Sequence, residues 1–168
     1  SRQAAYAYYL AKIHLRQDNY AAARRLLDRA IQVFRTSANQ PRLADAYVDL
    51  ADVALEEGNY AQATRNLEVA EALYVQLRQP VGIATVKCRQ ALIAYDAEDD
   101  LAARRLCEEA LSCVPGTDGA IVRSRTLRLL TDVAITEQQL DQAADYCRQA
   151  QVANQSLNDP TEGAAILY

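Results

Sequence analysis

Small and apolar residues return along this chain at a fixed interval of forty. Ala23, Ala63, Ala103 and Ala143 share one phase, Ala30, Ala70, Ala110 and Ala150 another, and Leu27, Leu67, Cys107 and Cys147 fall between them with no insertion or deletion. A second set runs upstream in each unit: Leu10, Leu50, Gln90 and Leu130, then Ala11, Ala51, Ala91 and Thr131, then Ile13, Val53, Ile93 and Val133. Each unit therefore carries two apolar stripes. Self-similarity at this period marks a stacked repeat, in which a unit that cannot bury its own apolar face buries it against the next.

Inside a unit the apolar positions recur at three and four, as in Leu10, Ile13 and His14 or in Ala23, Leu27, Ala30 and Ile31, which is the helical period. Short polar breaks separate the two stripes: Gln17-Asp18-Asn19, Glu57-Gly58-Asn59, Glu98-Asp99 and Gln138-Gln139. Gly58 takes the left-handed conformation that closes a helix without strain, and Asn and Asp tolerate it better than most residues. The breaks between units carry Pro41, Pro80, Pro160 and Pro115-Gly116. The pattern predicts helices over about 3–16, 20–37, 41–56, 60–77, 81–96, 100–113, 119–136 and 140–157. These pair as four antiparallel hairpins, with units at about 1–40, 41–80, 81–120 and 121–160 of a single repeat domain spanning 1–168. Thr161-Glu162-Gly163-Ala164-Ala165-Ile166-Leu167-Tyr168 reads as the opening of a fifth unit. With no Met anywhere in the sequence, that reading predicts a fragment of a longer array.

Composition supports a helical chain. It is 51% hydrophobic with only 5 Gly and 4 Pro, too few turn-formers to punctuate many strands. No stretch approaches the roughly 18 apolar residues of a membrane span, and Ser1-Arg2-Gln3-Ala4 lacks the regions of a secretion signal. The net charge of -4 argues against nucleic-acid binding, which usually draws on a basic surplus. Cys88, Cys107, Cys113 and Cys147 form no CxxC pair, and His14 is the only histidine, so zinc is not expected and buried free thiols in a reducing, cytoplasmic setting are. Lysine is confined to Lys12 and Lys87 while Arg abounds, a codon habit of GC-rich bacteria.

The order Leu10-Ala11, a break, Asn19-Tyr20, Ala23, Leu27 and Ala30 resembles the tetratricopeptide repeat, and Leu50-Ala51, Gly58-Asn59-Tyr60, Ala63, Leu67 and Ala70 match it better still. The resemblance covers the whole chain. It implies an all-α fold, a right-handed α-solenoid of four such antiparallel helix hairpins plus the start of a fifth. The third unit departs from it, with Gln90 at an apolar position and Asp100 at an aromatic one. A forty-residue unit exceeds the family's usual length and implies longer second helices. Such units are similar to those of kinesin light chains, cell-polarity adaptors, bacterial peptide-sensing regulators, and the sensor arms of signal-transduction ATPases and maltose-type transcription activators. Arg42-Leu43-Ala44-Asp45-Ala46, echoed by Val81-Gly82-Ile83-Ala84-Thr85 and by Glu162-Gly163-Ala164-Ala165, resembles the bacterial regulators most.

In that family the first helices line a concave groove that binds a peptide or protein segment. Carried over by position, the groove falls on Tyr8, Tyr9 and Lys12 in the first unit, Asp45, Asp49 and Asp52 in the second, Arg89 in the third, and Arg125 and Arg128 in the fourth. It would run from aromatic and basic, through acidic, to basic, and so hold a complementary partner in one direction. Single charges on a helix face are ordinarily solvated surface; the cluster is what carries weight. Lys12 occupies one place of the family's chaperone-tail clamp, but Asp49, Asp52 and Arg89 do not complete it.

Tyr20, Tyr60, Tyr74 and Tyr146 fall at inter-helix positions and are expected to pack. His14, where other units have Ala54, Ala94 and Ala134, is expected at a core or groove edge. Glu98-Asp99-Asp100 lacks the alternating ligands and glycine of a calcium loop and reads as a turn. No phosphate loop, nucleophile with a base, or paired metal ligands appear, so neither a catalytic activity nor a cofactor is expected. Two other roles compete with peptide binding: sensing of a small molecule through Tyr8 and Tyr9, and self-assembly through exposed repeat ends.

Overall fold

The structure, a computed structural model, describes residues 2–116 and 119–158. Among them eight helices follow in order: α1 (Arg2–Arg16), α2 (Tyr20–Thr36), α3 (Gln40–Glu56), α4 (Tyr60–Leu77), α5 (Pro80–Asp96), α6 (Asp100–Cys113), α7 (Ala120–Thr136) and α8 (Leu140–Asn158). The expected all-α arrangement of helical hairpins is the fold observed. The ends lie within one or two residues of the expected ones, and the fifth-unit residues 161–168 lie outside the described residues. Pro41 stands in the first turn of α3 and Pro80 opens α5, where a missing N–H costs nothing.

The breaks share one local device. A residue with positive φ ends a helix at Asp18 (55°), Ala38 (51°), Gly58 (69°), Arg78 (52°), Glu98 (61°) and Gln138 (60°), and the next residue opens its successor. Asn19, Asn39, Asn59 and Asp99 serve as N-caps, their Oδ1 accepting from the backbone N–H of Ala22 (3.3 Å), Arg42 (3.3 Å), Gln62 (3.1 Å) and Ala102 (3.0 Å). Each such cap contributes about 1 kcal/mol. Asn19 and Asn59 are thus caps, with φ of -89° and -93°, and not the left-handed residues themselves.

By contact density the chain divides into Ser1–Gly82 and Ile83–Tyr168. In the first unit α1 packs on α2, α2 on α3 and α3 on α4. Ala11, Ala23, Leu27, Ala30, Ala51, Ala63, Leu67 and Ala70 are fully buried. Alanine at these crossings lets helix axes approach to about 8 Å, near the lower limit for packed helices. Tyr8 and Phe34 meet edge to face in this core, ring centres 6.0 Å apart. In the second unit α6 packs on α7 and α7 on α8, around Ala91, Cys107, Leu127, Leu130 and Ala150. Cys107 takes the place that Leu27 and Leu67 hold earlier, and burial with Cys88 nearby pushes its thiol up to about 12.

A salt clamp joins successive hairpins inside each unit. Arg24 of α2 grips Glu57, and eighty residues on Arg104 of α6 grips Glu137. Arg104 also donates to Gln139 (3.2 Å), Gln142 (3.4 Å) and the Tyr146 hydroxyl (3.5 Å). The intervening period has Thr64 and Ala97 at these positions, and so no charges to pair. Arg24 is half-exposed, whereas Arg104 is 17% exposed at its side chain. Arg104→Ala is therefore expected to cost about 1–2 kcal/mol in urea unfolding, against about 0.5 kcal/mol for Arg24→Ala. Equal losses would contradict the distinction.

Candidate functional site

Helices α1 and α3 bring the first-unit candidates together. Tyr8 and Lys12 are four apart on α1, and Arg42, Asp45, Asp49 and Asp52 recur at three and four along α3, so each set shares a face. Lys12 Nζ lies 3.4 Å from Asp49 Oδ1. The Tyr8 phenol neighbours the same carboxylate, and each group raises or lowers the other's proton affinity. The Arg42 guanidinium stands 5.5 Å from the Tyr8 ring centre and 5.3 Å from that of Tyr9, and Arg42 Nη2 donates to the Tyr9 hydroxyl at 2.8 Å. Arg42 Nη1 is also 3.9 Å from Asp45 Oδ2, while the Tyr74 hydroxyl donates to Asp45 Oδ1 at 2.8 Å.

This geometry corrects the picture of open, separate aromatic, basic and acidic sectors in the first unit. Tyr8 is buried, at 3% exposure, and belongs to the core with Phe34. Asp49 is buried at 7% and neutralised in place. The physical reason is proximity: α1 and α3 are neighbours, so opposite charges set one unit apart in sequence reach each other before they reach a ligand. Tyr9 (52% exposed) and Lys12 remain at the surface, and Asp52 is half-buried with an interaction of its own. Arg42, absent from the groove set, is the hub of the cluster. Its signal was its position three residues before Asp45 on the same helical face.

Burial pushes the Asp49 carboxyl above its ordinary value, the pull of Lys12 and the neighbouring Tyr8 hydroxyl only partly opposing it. Burial, then the carboxylates of Asp49 and Asp45, raise the Tyr8 phenol as well. A carboxyl raised in the folded state stabilises while protonated and loses that contribution as pH rises through its folded pKa. Asp49→Asn keeps an acceptor for Lys12 and removes the buried charge. It is expected to stabilise at pH 7 by on the order of 1 kcal/mol, an advantage that shrinks as pH falls and the native carboxyl protonates. Denaturant unfolding at neutral and acid pH checks this; a less stable variant at pH 7 would mean that Lys12 outweighs burial.

The second unit differs. Arg125 and Arg128 are exposed, three apart on α7, and among the described residues neither has a charged or hydrogen-bonding partner. Arg89 is half-buried and donates to the Thr85 carbonyl at 3.4 Å on its own helix, besides other engagement. Leu129 is buried at 7%, so α7 turns one face into the core and leaves its arginines outside.

Of the four tyrosines expected to pack, Tyr74 is buried and Tyr20 and Tyr146 are half-buried, but Tyr60 is 43% exposed. All four cysteines are free, yet only Cys107 is buried; Cys88 and Cys113 are half-buried and Cys147 exposed. Asp100 has a use in place of the aromatic, its Oδ2 accepting from Thr136 Oγ1 at 3.0 Å. Glu98 and Asp99 form the helix break, as a turn should. His14 is half-buried, and its Nδ1 has no hydrogen-bond partner among the described residues. Among the described residues no group of His, Cys, Asp and Glu is placed to hold a metal, and no helix is long and apolar enough to cross a membrane.

A repeat of helical hairpins with small residues at the crossings is the class of protein defined here. Residues 2–74 match the family model of the tetratricopeptide repeat, whose units are non-catalytic scaffolds that mediate protein–protein interaction. Comparison with curated proteins gives no match.

Proposed function

We propose that this chain is a protein-interaction module that binds an acidic peptide or protein segment, with Arg125 and Arg128 of α7, in the second unit, as the principal charged contacts. The observation that carries this reading is the contrast between the two units. Among the described residues, Lys12, Arg42, Asp45 and Asp49 are spent on one another, whereas Arg125 and Arg128 are exposed and unpaired. Arginine presents a planar fork to carboxylates, and two forks one turn apart suit successive acidic side chains of an extended segment.

The forty-residue period and the small-residue runs near Ala44 and Ala84 support placing the module as the sensor or interaction arm of a larger bacterial regulator, in the cytoplasm. The test is selection of random peptides on the full chain. Enrichment of acidic sequences, with binding that weakens as salt rises, supports the reading; enrichment of basic or purely apolar sequences, or of none, overturns it.

A further inference from the structure

Exposed side chains along α1 fall on a single line. Arg2, Tyr6, Tyr9, Ile13 and Arg16 follow one another at intervals of four, three, four and three, the spacing of one helical face, opposite the buried Ala4, Ala7, Tyr8 and Ala11. The middle of the line is bulky and apolar: Tyr6 is 71% exposed, Tyr9 52% and Ile13 51%. Its ends are cations, and among the described residues neither Arg2 nor Arg16 has a charged or hydrogen-bonding partner. Helix α1 carries no carboxylate side chain. Tyr9 is already held by the 2.8 Å bond from Arg42, so little freedom is lost when its open side is covered.

The repeat shows what such a line accepts. One period on, the same positions of α3 are Ala46, Asp49 and Val53, all buried; α2 packs on α3, and its Leu27, Ala30, Ile31 and Phe34 share a core with Ala46 and Val53. In the second unit the positions are Thr126, Leu129 and Val133, again buried, on the helix that α6 packs against. A neighbouring helix covers this line in α3, whereas in α1 it is open. Tyr6 and Tyr9 stand where Ala46 and Asp49 do, so a helix laid on α1 sits about 10 Å away, at the outer end of the usual range, and meets two rings of the kind that anchor interfaces.

Charge selects among helices. Arg2 and Arg16 lie about 21 Å apart along the axis, within reach of carboxylates at the two ends of a helix of the same length. Two copies of α1 laid together would set cations against cations, so the face does not suit its own likeness.

We propose that this face of α1 docks an amphipathic helix of another protein, apolar at its centre and with a carboxylate near each end set against Arg2 and Arg16. The site uses no residue of α7 and takes a helix where the α7 arginines take an extended segment.

The probe is a designed helical peptide of about eighteen residues, with leucine and alanine along one seam and glutamate at both of its ends, beside a lysine-ended twin. Fluorescence anisotropy on the full chain should show the glutamate-ended peptide binding at least about tenfold more tightly. Tyr6→Gln with Ile13→Gln removes the apolar centre at exposed positions and keeps good helix formers, so helix content should hold while affinity falls about tenfold. Arg2→Glu with Arg16→Glu should reverse the preference in favour of the lysine-ended peptide. Arg125→Glu with Arg128→Glu should leave this affinity within about threefold at physiological salt, which separates the site from that on α7. Absence of binding, equal affinity for the two peptides, binding that survives replacement of Tyr6 and Ile13, or binding lost with Arg125 and Arg128 would each overturn the proposal. So would a mass that doubles with concentration and returns to that of one copy when Tyr6 and Ile13 are replaced, since the face would then belong to self-association.

Discussion

Gly82→Ala is expected to destabilise the chain by about 2 kcal/mol, although alanine is the better helix former. A Cβ at position 82 would lie 2.4, 2.5 and 2.6 Å from Cδ1, Cγ and Cε1 of Tyr74. These are atoms of a rigid ring, close to its root, and the ring is 5% exposed. It cannot swing aside without breaking the 2.8 Å bond from its hydroxyl to Asp45. Overpacking of this kind costs up to about 3 kcal/mol, from which roughly 1 kcal/mol of helix propensity is recovered. Thermal unfolding should fall by about 5 °C for a chain of this size. Replacing Tyr74 with Leu in the Gly82→Ala background should recover part of the loss, because a branched aliphatic group can vacate what a ring cannot. A Gly82→Ala chain as stable as the parent would refute this account of the contact. The contact also reaches further, since Tyr74 holds Asp45, Asp45 meets Arg42, and Arg42 spans Tyr8 and Tyr9.

The second large effect concerns binding. Reversing both free cations, Arg125→Glu with Arg128→Glu, is expected to weaken the selected acidic peptide about 100-fold. A hydrogen bond to a charged group contributes roughly 1.5–3 kcal/mol, and each 1.4 kcal/mol is a factor of ten, so loss of two contacts already reaches this size before repulsion is added. Stability should hardly change, because both side chains are exposed. The control is Arg25→Glu with Arg29→Glu, which makes the same change in net charge on exposed positions of α2. Titration by calorimetry or fluorescence separates the outcomes. Equal losses in both pairs would reduce the effect to net charge, and no loss in the first would remove α7 from the interface.

Much of the molecule was legible from spacing alone. The forty-residue phase of Ala23, Leu27 and Ala30 with their successors specified two helices per unit and named the residues of their crossings, since a helix returns the same face every three or four positions. Caps were legible in part. Asn before a helix reads as a polar break in sequence, but whether it or its neighbour turns left-handed depends on which backbone groups need partners, and there Asp18 and Asn19 divided the work.

The site was less legible. Sequence position identified which helix faces α1 and α3 turn toward each other, and so identified Lys12, Asp45 and Asp49 as neighbours of a groove. It did not say that the neighbours would consume one another. Whether a charged side chain meets solvent, a ligand or an opposite charge is decided by distances between helices far apart in sequence, and a register rule has no term for those distances. For the same reason Arg42 lay outside the groove set, and Tyr8, assigned to the groove by position, is buried in the core. By itself the sequence determined the repeat, the helices and the crossings, because those follow from local period and side-chain size. Only the tertiary structure decided which charges are used up within the fold, in the first unit, and which, at Arg125 and Arg128, are left exposed.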